Sequence, residues 1–332
     1  MRDPRSWRLL VASMAAVVVA GVSSCAAPRA VVTRGGFDST GSTAARALVL
    51  TSSPSAAVPS SRQPCLGVAP PTHYDHVIWI VMENKAAASV RGSAAPATTS
   101  IAARCGRTAD YHAVTHPSLP NYIALTSGST HGITDDANPS KHRIGGSSIF
   151  SVVAAAHRRW VTYAESMPKP CARTSSGRYA VRHNPATYFT SLATTCAAYD
   201  LPMGTPTSGR LATALRTGAL PAFTLMIPDL CNDTHDCSVA TGDRWLGRWL
   251  TTITSSTTYA AGRTAVFVTW DEDDNTRVNT VLLVVVAPSV RPGTVIRARY
   301  THLNLLRTTE DMLGLPAILA PTSASLRRVG HI

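Results

Sequence analysis

The chain has 332 residues, 45% of them hydrophobic and 15% charged, with a formal net charge of +12. That length holds one large α/β domain or two small ones, and that apolar share excludes a disordered polyelectrolyte. No long Lys/Arg run, zinc-finger spacing or RNP pattern occurs, so the excess charge points to an anionic envelope or substrate and not to nucleic acid.

Arg2, Arg5 and Arg8 precede an apolar run, Leu9 to Val22, that is too short and too rich in alanine for a membrane span. Val22-Ser23-Ser24-Cys25 then resembles a bacterial lipobox, in which the cysteine becomes a lipidated N-terminus. Ordinary cleavage near Ala26-Ala27 is the alternative. Residues 1–25 are therefore expected to export the chain, either anchored to the envelope membrane by lipid or secreted. Removing residues 1–24 leaves +10. Residues 26–70, rich in Ala, Ser, Thr, Val and Pro, read as a tether. The domain is expected over 71–320, with a tail over 321–332.

Seven cysteines are present. If Cys25 carries lipid, six remain, and an exported chain favours pairing them. Proximity suggests Cys65–Cys105, Cys171–Cys196 and Cys231–Cys237, the simplest of fifteen arrangements. No CxxC pair offers a zinc site.

Along the domain, His76–Met82 reads as a buried strand. Ser148–Trp160 is an amphipathic helix followed by a short strand to Ala164, and Ala222–Ile227 is another strand. Arg244–Ser255 carries Trp245 and Trp249 four apart, as a helix does. Ala265–Trp270 and Val281–Val286 are apolar strands, and Leu303–Leu313 is a helix stopped by Gly314 and Pro316. Strands apolar throughout and separated by helices predict an α/β fold with a mostly parallel central sheet covered on both faces, a three-layer sandwich.

The chemistry falls at the strand ends. Met82 is followed by Glu83-Asn84, Ile227 by Pro228-Asp229, and Trp270 by Asp271-Glu272-Asp273-Asp274. In an open parallel sheet these ends share one edge, where ligands bind. Crowded carboxylates repel unless a cation neutralises them, and oxygen donors suit hard or borderline divalent ions. Asp273 and Asp274 read as plain turn residues. Ser118, in Thr115-His116-Pro117-Ser118-Leu119-Pro120-Asn121-Tyr122, fits a helix start, where backbone N–H groups and the positive helix end favour a phosphate anion. Metal contact would make its hydroxyl a nucleophile. Asn121, one turn on, could donate to a phosphate oxygen. His235, His302 and His183 could each bind metal, hydrogen-bond phosphate or protonate a leaving group. His235 has the strongest context, with acids on both sides inside a small disulfide loop.

Assembled, these residues resemble the bacterial phosphoesterase family that includes acid phosphatases and phosphocholine-type phospholipases C, within the alkaline phosphatase-like superfamily. The likeness runs from His76 to Pro316. It rests on Ile80-Val81-Met82-Glu83-Asn84, His116 to Tyr122, Asn232-Asp233-Thr234-His235-Asp236, Thr269-Trp270-Asp271-Glu272, and Thr301-His302 through Arg307 to Pro316. Ser118-Leu119-Pro120-Asn121 is also similar to the nucleophile segment of nucleotide pyrophosphatases. The resemblance implies an alkaline phosphatase-like fold, a phosphorylated Ser118, and Glu83, Asn84, Asp271 and Glu272 as metal ligands. Relative to the superfamily's two-zinc pattern, Glu83-Asn84 replaces a single acid and Asp271-Glu272 replaces Asp-His. Oxygen thus displaces nitrogen, and the ion is left open among Ca, Mg, Mn and Zn. A second site from Asp229, His235 and His302 also stays open. Glu165 belongs to a family-like segment without an assigned role.

The expected activity is two-step hydrolysis of small phosphate esters through phosphoserine, with Asn121 and His183 binding phosphate and His235 and His302 assisting catalysis. A phospholipase C or other phosphodiesterase is the first alternative. An envelope binding protein on the same fold is the second, and metal analysis discriminates it. No protein partner is implied.

Overall fold

The computed structural model describes residues 58–276, 278–319, 324–327 and 332. The expected signal segment, the lipobox and residues 26–57 of the expected tether lie outside the described residues. One eight-stranded sheet organises the rest. Its strands are β1 His76–Met82, β2 Gly106–His112, β3 Trp160–Ala164, β4 Asp200–Pro202, β5 Phe223–Ile227, β6 Thr264–Trp270, β7 Leu283–Val286 and β8 Thr294–Thr301. Their spatial order is β4-β3-β5-β1-β6-β7-β2-β8. All pairings are parallel except those of β7, which runs antiparallel to both β6 and β2.

The helices are α1 Pro96–Arg104, α2 Ser118–Ser127, α3 Ile149–Ala155, α4 Cys196–Tyr199, α5 Arg210–Thr217, α6 Val239–Thr254, α7 Thr257–Ala260 and α8 His302–Leu313. β1, at the centre, is apolar at every position after His76 because layers cover both its faces. Val77 to Met82 are all fully buried. Trp79 meets Phe223 of β5 edge-on at 4.7 Å, and its indole N–H donates to Thr309 of α8. Trp245 and Trp249 of α6 are likewise buried, as their spacing requires.

The register of the central strands sets up the site. Met82 pairs with Trp270, so the residues that follow, Glu83 and Asp271, emerge side by side. The Asp271 N–H donates to the Met82 carbonyl, which extends the pairing one step past the strands.

Three disulfides form, Cys65–Cys105, Cys171–Cys196 and Cys231–Cys237. The first revises the expected tether. Cys65 is fully buried, and the Leu66 N–H donates to the Pro288 carbonyl, so residues 58–70 are fastened to the body and do not trail from it. At the other end, Leu326 and Ile332 are buried and Arg327 donates to the Asp311 and Pro71 carbonyls. The described part of the expected tail therefore packs too. Among the described residues no helix is long and apolar enough to cross a membrane.

Candidate active site

Ser118 is the first residue of α2, capped by Pro117 after a cis His116-Pro117 bond. Its hydroxyl donates toward Glu83 Oε2 at 3.0 Å, with Asn84 Oδ1 at 3.4 Å and Glu272 Oε1 at 3.5 Å. Segments 35 and 154 residues away in sequence thus converge on one oxygen. The Asn84 N–H donates to Asp271 Oδ1 at 3.1 Å, which locks the two strand ends together. Asn84 adopts φ +46°, a left-handed conformation that asparagine tolerates better than most residues. The Leu119 N–H, among those left free at a helix start, is taken by Asp136 Oδ1 at 2.9 Å.

The acids here are buried and crowded. Burial first, then the charges of Asp271 and Asp233, raises the pKa of Glu83 well above the usual carboxylate range. Asp271 is raised by burial and by Glu272, while the Asn84 N–H and the Ser118 hydroxyl pull it back. Glu272 and Asp233 are displaced upward as well, again chiefly by burial. A protein without a cation would therefore keep protons here near neutral pH, and a cation would release them. Asp271 Oδ2, Asp233 Oδ2 and His183 Nε2 are buried without a hydrogen-bond partner. Glu83, His183 and Asp233 present ligand atoms within 4.8 Å of one another. Orphaned oxygens beside one ring nitrogen are the donor set a hard or borderline divalent ion takes, so the residues fit such a group.

The expected ligands divide. Glu83, Asn84 and Glu272 surround the Ser118 hydroxyl, and Asp271 stands beside them. Asp229 does not join them. Its Oδ1 accepts the Cys231 and Asn232 N–H groups, and its Oδ2 accepts the Ser166 hydroxyl at 2.8 Å. It caps a turn that carries the chain four residues further. The Asp233 N–H donates to the Asp229 carbonyl, and Asp233 is the acid that reaches the cluster.

Asn121 is fully buried and spent on the loop before Ser118. Its oxygen accepts the Val114 and Thr115 N–H groups, and its amide donates to the Thr115 and Pro117 carbonyls and to Glu272 Oε2. It shapes the nucleophile loop and has no spare hydrogen for phosphate. His302 is corrected in the same way. Its ring nitrogens lie 2.7 Å from the Asp271 carbonyl oxygen and 3.0 Å from the Tyr111 hydroxyl, and burial pushes its pKa down to about 4. It is a neutral prop under Asp271, with no nitrogen left to protonate a leaving group.

His183 lies deeper than a phosphate ligand should. It stacks on Tyr122, with Nε2 at 3.3 Å from Glu83 and Nδ1 at 3.5 Å from Asp233, and burial drives its pKa well down. His235 is at the mouth, 2.6 Å from Asp236 and 3.2 Å from an Arg182 nitrogen. Asp273 accepts the nearby Thr276 N–H, as a turn residue does, whereas Asp274 accepts the Ala86 N–H from 188 residues away and so joins two loops.

Sequence reasoning passed over four participants. Tyr122 donates to Glu83 Oε1, Asp233 faces His183, and His116 sits 2.9 Å from Glu272 Oε2. Arg182 lies at the rim, and its charge reaches Glu83 and Glu272. The first three lie inside quoted motifs, one helical turn or a few residues from a chosen residue. Arg182 had no signal beyond its neighbour His183.

Glu165 has a clear place. It accepts the Asp229 N–H, the Asn232 amide and the Trp245 indole N–H, and so ties the disulfide loop to β3 and α6. α6 approaches that loop so closely that a Cβ at Gly242 would lie 2.4 Å from Thr234 Cγ2.

The sequence of residues 84–316 matches the family described as the Phosphoesterase family. The chain is 34% identical over 259 residues to a phosphatidylinositol-3-phosphatase of Mycobacterium tuberculosis, covering 76% of this chain and 81% of that one. It is 26% identical over 230 residues to an acid phosphatase of Aspergillus fumigatus, covering 63% of this chain and 48% of the relative. The chain thus spans about half the length of that fungal enzyme. Among solved structures, a protein in the alkaline phosphatase superfamily from Vibrio parahaemolyticus superposes with a TM-score of 0.54 at 11% identity, over 81% of this chain and 71% of the other. The lipoteichoic acid synthase LtaP of Listeria monocytogenes superposes at 0.51 and 9%, over 77% and 75%. Both likenesses are of fold.

Proposed function

This chain belongs to the Phosphoesterase family, hydrolases of phosphoric ester bonds, and from that premise we propose that it cleaves phosphate monoesters by metal-dependent attack of Ser118, through a phosphoserine. The observation that carries the reading is the 3.0 Å approach of the Ser118 hydroxyl to Glu83, inside a pocket of raised carboxylates. Glu83, Asn84, Asp271 and Glu272 are the residues that would hold a divalent ion, with His183 and Asp233 beside them. When bound, that ion supplies positive charge to the serine oxygen and to the phosphoryl group.

The chain's own groups do the rest. Asn121 holds the Pro117 carbonyl and with it the backbone just before Ser118. Glu83 lies within reach of the serine proton, and the Tyr122 hydroxyl, donating to its other oxygen, orients that carboxylate. His302 holds the Asp271 backbone. We assign the leaving alcohol to His235, which is partly exposed; its Nε2 lies 3.2 Å from Arg182 Nη2 and has to be released from that contact to meet it. Water then attacks phosphorus and frees Ser118.

Among esters, we favour monoesters over diesters, the class to which the names of both relatives point. Export follows from the signal-like segment and the three disulfides. Anchoring through Cys25 is part of this proposal. Ser118→Ala should abolish turnover of p-nitrophenyl phosphate, and activity within about tenfold of wild type would exceed what loss of a nucleophile allows.

A further inference from the structure

We infer that the protein carries a second ligand site, separate from the Ser118 pocket, in which Tyr163, Arg159 and Arg210 hold the head of a small amphipathic anion. The site is a cavity of about 400 Å³ between α5 and the β3–β4 edge of the sheet, a size that small-molecule pockets commonly have. Tyr163 of β3 and Leu201 of β4 are register partners, so both side chains lie on one face of the sheet. Leu201, Ala214 and Ala219 give the cavity apolar walls, and Arg159 and Arg210 border it. None of the residues placed around Ser118 lines it. A Cβ at Gly209 would lie 2.7 Å from the Gly204 Cα, so the turn that starts α5 is tightly closed and sets the position of Arg210.

Tyr163 is 2% exposed, yet among the described residues its hydroxyl has no hydrogen-bond partner. Buried polar groups left in that state are few in a native fold, and this one borders the cavity. Burial raises its pKa, and the charges of Arg159 and Arg210 both pull it back, so two guanidinium groups act on the same hydroxyl. The arginine ion pairs among the described residues belong to Arg182, Arg263 and Arg307, which leaves Arg159 and Arg210 without an acid. Asp200 of β4 does not serve them. It pairs with Thr162, one residue off, so it lies on the opposite face, where the Asn184 amide donates to both its oxygens. Two cations beside one cavity repel each other, and an anion between them removes that cost. A hydroxyl donor and two guanidinium forks match the oxygens of a carboxylate, phosphate or sulfonate head. The walls beyond are apolar, so an acyl or aryl body covers surface that an inorganic anion would leave wet. A free amphiphile and the head of an anionic lipid both carry this chemistry.

The test titrates the purified protein with octanesulfonate, which has no ester bond to cleave, and reads binding by calorimetry. Wild type should bind it at least about tenfold more tightly than sulfate, through burial of the alkyl chain. Arg159→Gln and Arg210→Gln should each weaken it at least about tenfold, and the double variant about a hundredfold. Tyr163→Phe should weaken it about threefold to tenfold. Every variant should turn over p-nitrophenyl phosphate as wild type does. Both arginine side chains are exposed, so their variants keep the fold even if Tyr163→Phe does not. Flotation with phosphatidylglycerol vesicles separates the sources. Vesicle binding lost in both the double variant and Tyr163→Phe assigns a lipid head, since general charge attraction does not need the hydroxyl; any other vesicle result assigns a free amphiphile. Absence of octanesulfonate binding, equal affinity for sulfate, or affinity that the double variant keeps would overturn the inference. A parallel loss of turnover would overturn it too, because the trio would then belong to the catalytic site or to the fold.

Discussion

Asp200, behind the site, allows the sharpest quantitative prediction. It opens β4 and is fully buried next to the Cys171–Cys196 disulfide. The Asn184 amide donates to both of its oxygens at 2.9 Å, and Asn184 follows His183 directly. Those cysteines are bonded to each other, so they do not hold a metal with it. Burial raises its pKa from 3.8 to about 7, and the Asn184 contact recovers only part of that. A displacement of that size corresponds to about 4 kcal/mol, at about 1.4 kcal/mol per tenfold.

The sign follows from the folded pKa being the higher one. The native state binds the extra proton between about pH 4 and 7, so stability is full at acid pH, falls across that window and is flat above it. Asp200→Asn is neutral throughout. Asn184 Oδ1 has no partner among the described residues, so a half-turn of that amide lets it accept from the new amide. Urea unfolding at pH 4 to 8 should therefore show the variant losing little across the window. At pH 8 it should exceed wild type by up to about 4 kcal/mol, less whatever cost the exchange carries at pH 4. Parallel curves for the two proteins would refute the reasoning.

Chelation should remove activity on p-nitrophenyl phosphate, and one of Mg, Mn, Ca or Zn should restore it and raise the thermal midpoint. Because the site's carboxylates sit above their usual range, adding that ion at pH 7 should release protons, read with an indicator dye. Unaltered activity after chelation would contradict both. Glu165→Ala leaves three donors without their acceptor, so it should cost about 2–4 kcal/mol in urea unfolding, and Glu165→Gln should recover part of that.

What could be read in advance depended on whether burial left a mark in the residue pattern. β1 is apolar after His76 and β6 is buried throughout because the sheet is covered on both faces, so both strands and the acids after them were legible. Ser118 followed from the Pro117 turn and the helix behind it. β2 and β8 were missed because Gly106–His112 and Thr294–Thr301 carry polar residues toward one edge of the sheet. α1 was missed because Pro96–Arg104 is built from small residues with a weak stripe.

Side-chain direction was the harder matter. Asp229 obeys the strand-end rule, yet its carboxylate closes a turn and Asp233 takes its place. Asn121 and His302 sit at the right positions but face backbone carbonyls. No residue pattern distinguishes a histidine aimed at phosphorus from one aimed at a carbonyl. Arg182 was invisible because a surface-like arginine gains meaning only from Asp136 and His235, 46 and 53 residues away.

The most direct trial of the central claim is a single-turnover acid quench with p-nitrophenyl phosphate, followed by mass mapping of the peptides. One phosphoryl group on the peptide that carries Ser118, absent from Ser118→Ala, is the expected result. Product formed at the full rate with phosphate on another residue would contradict the account.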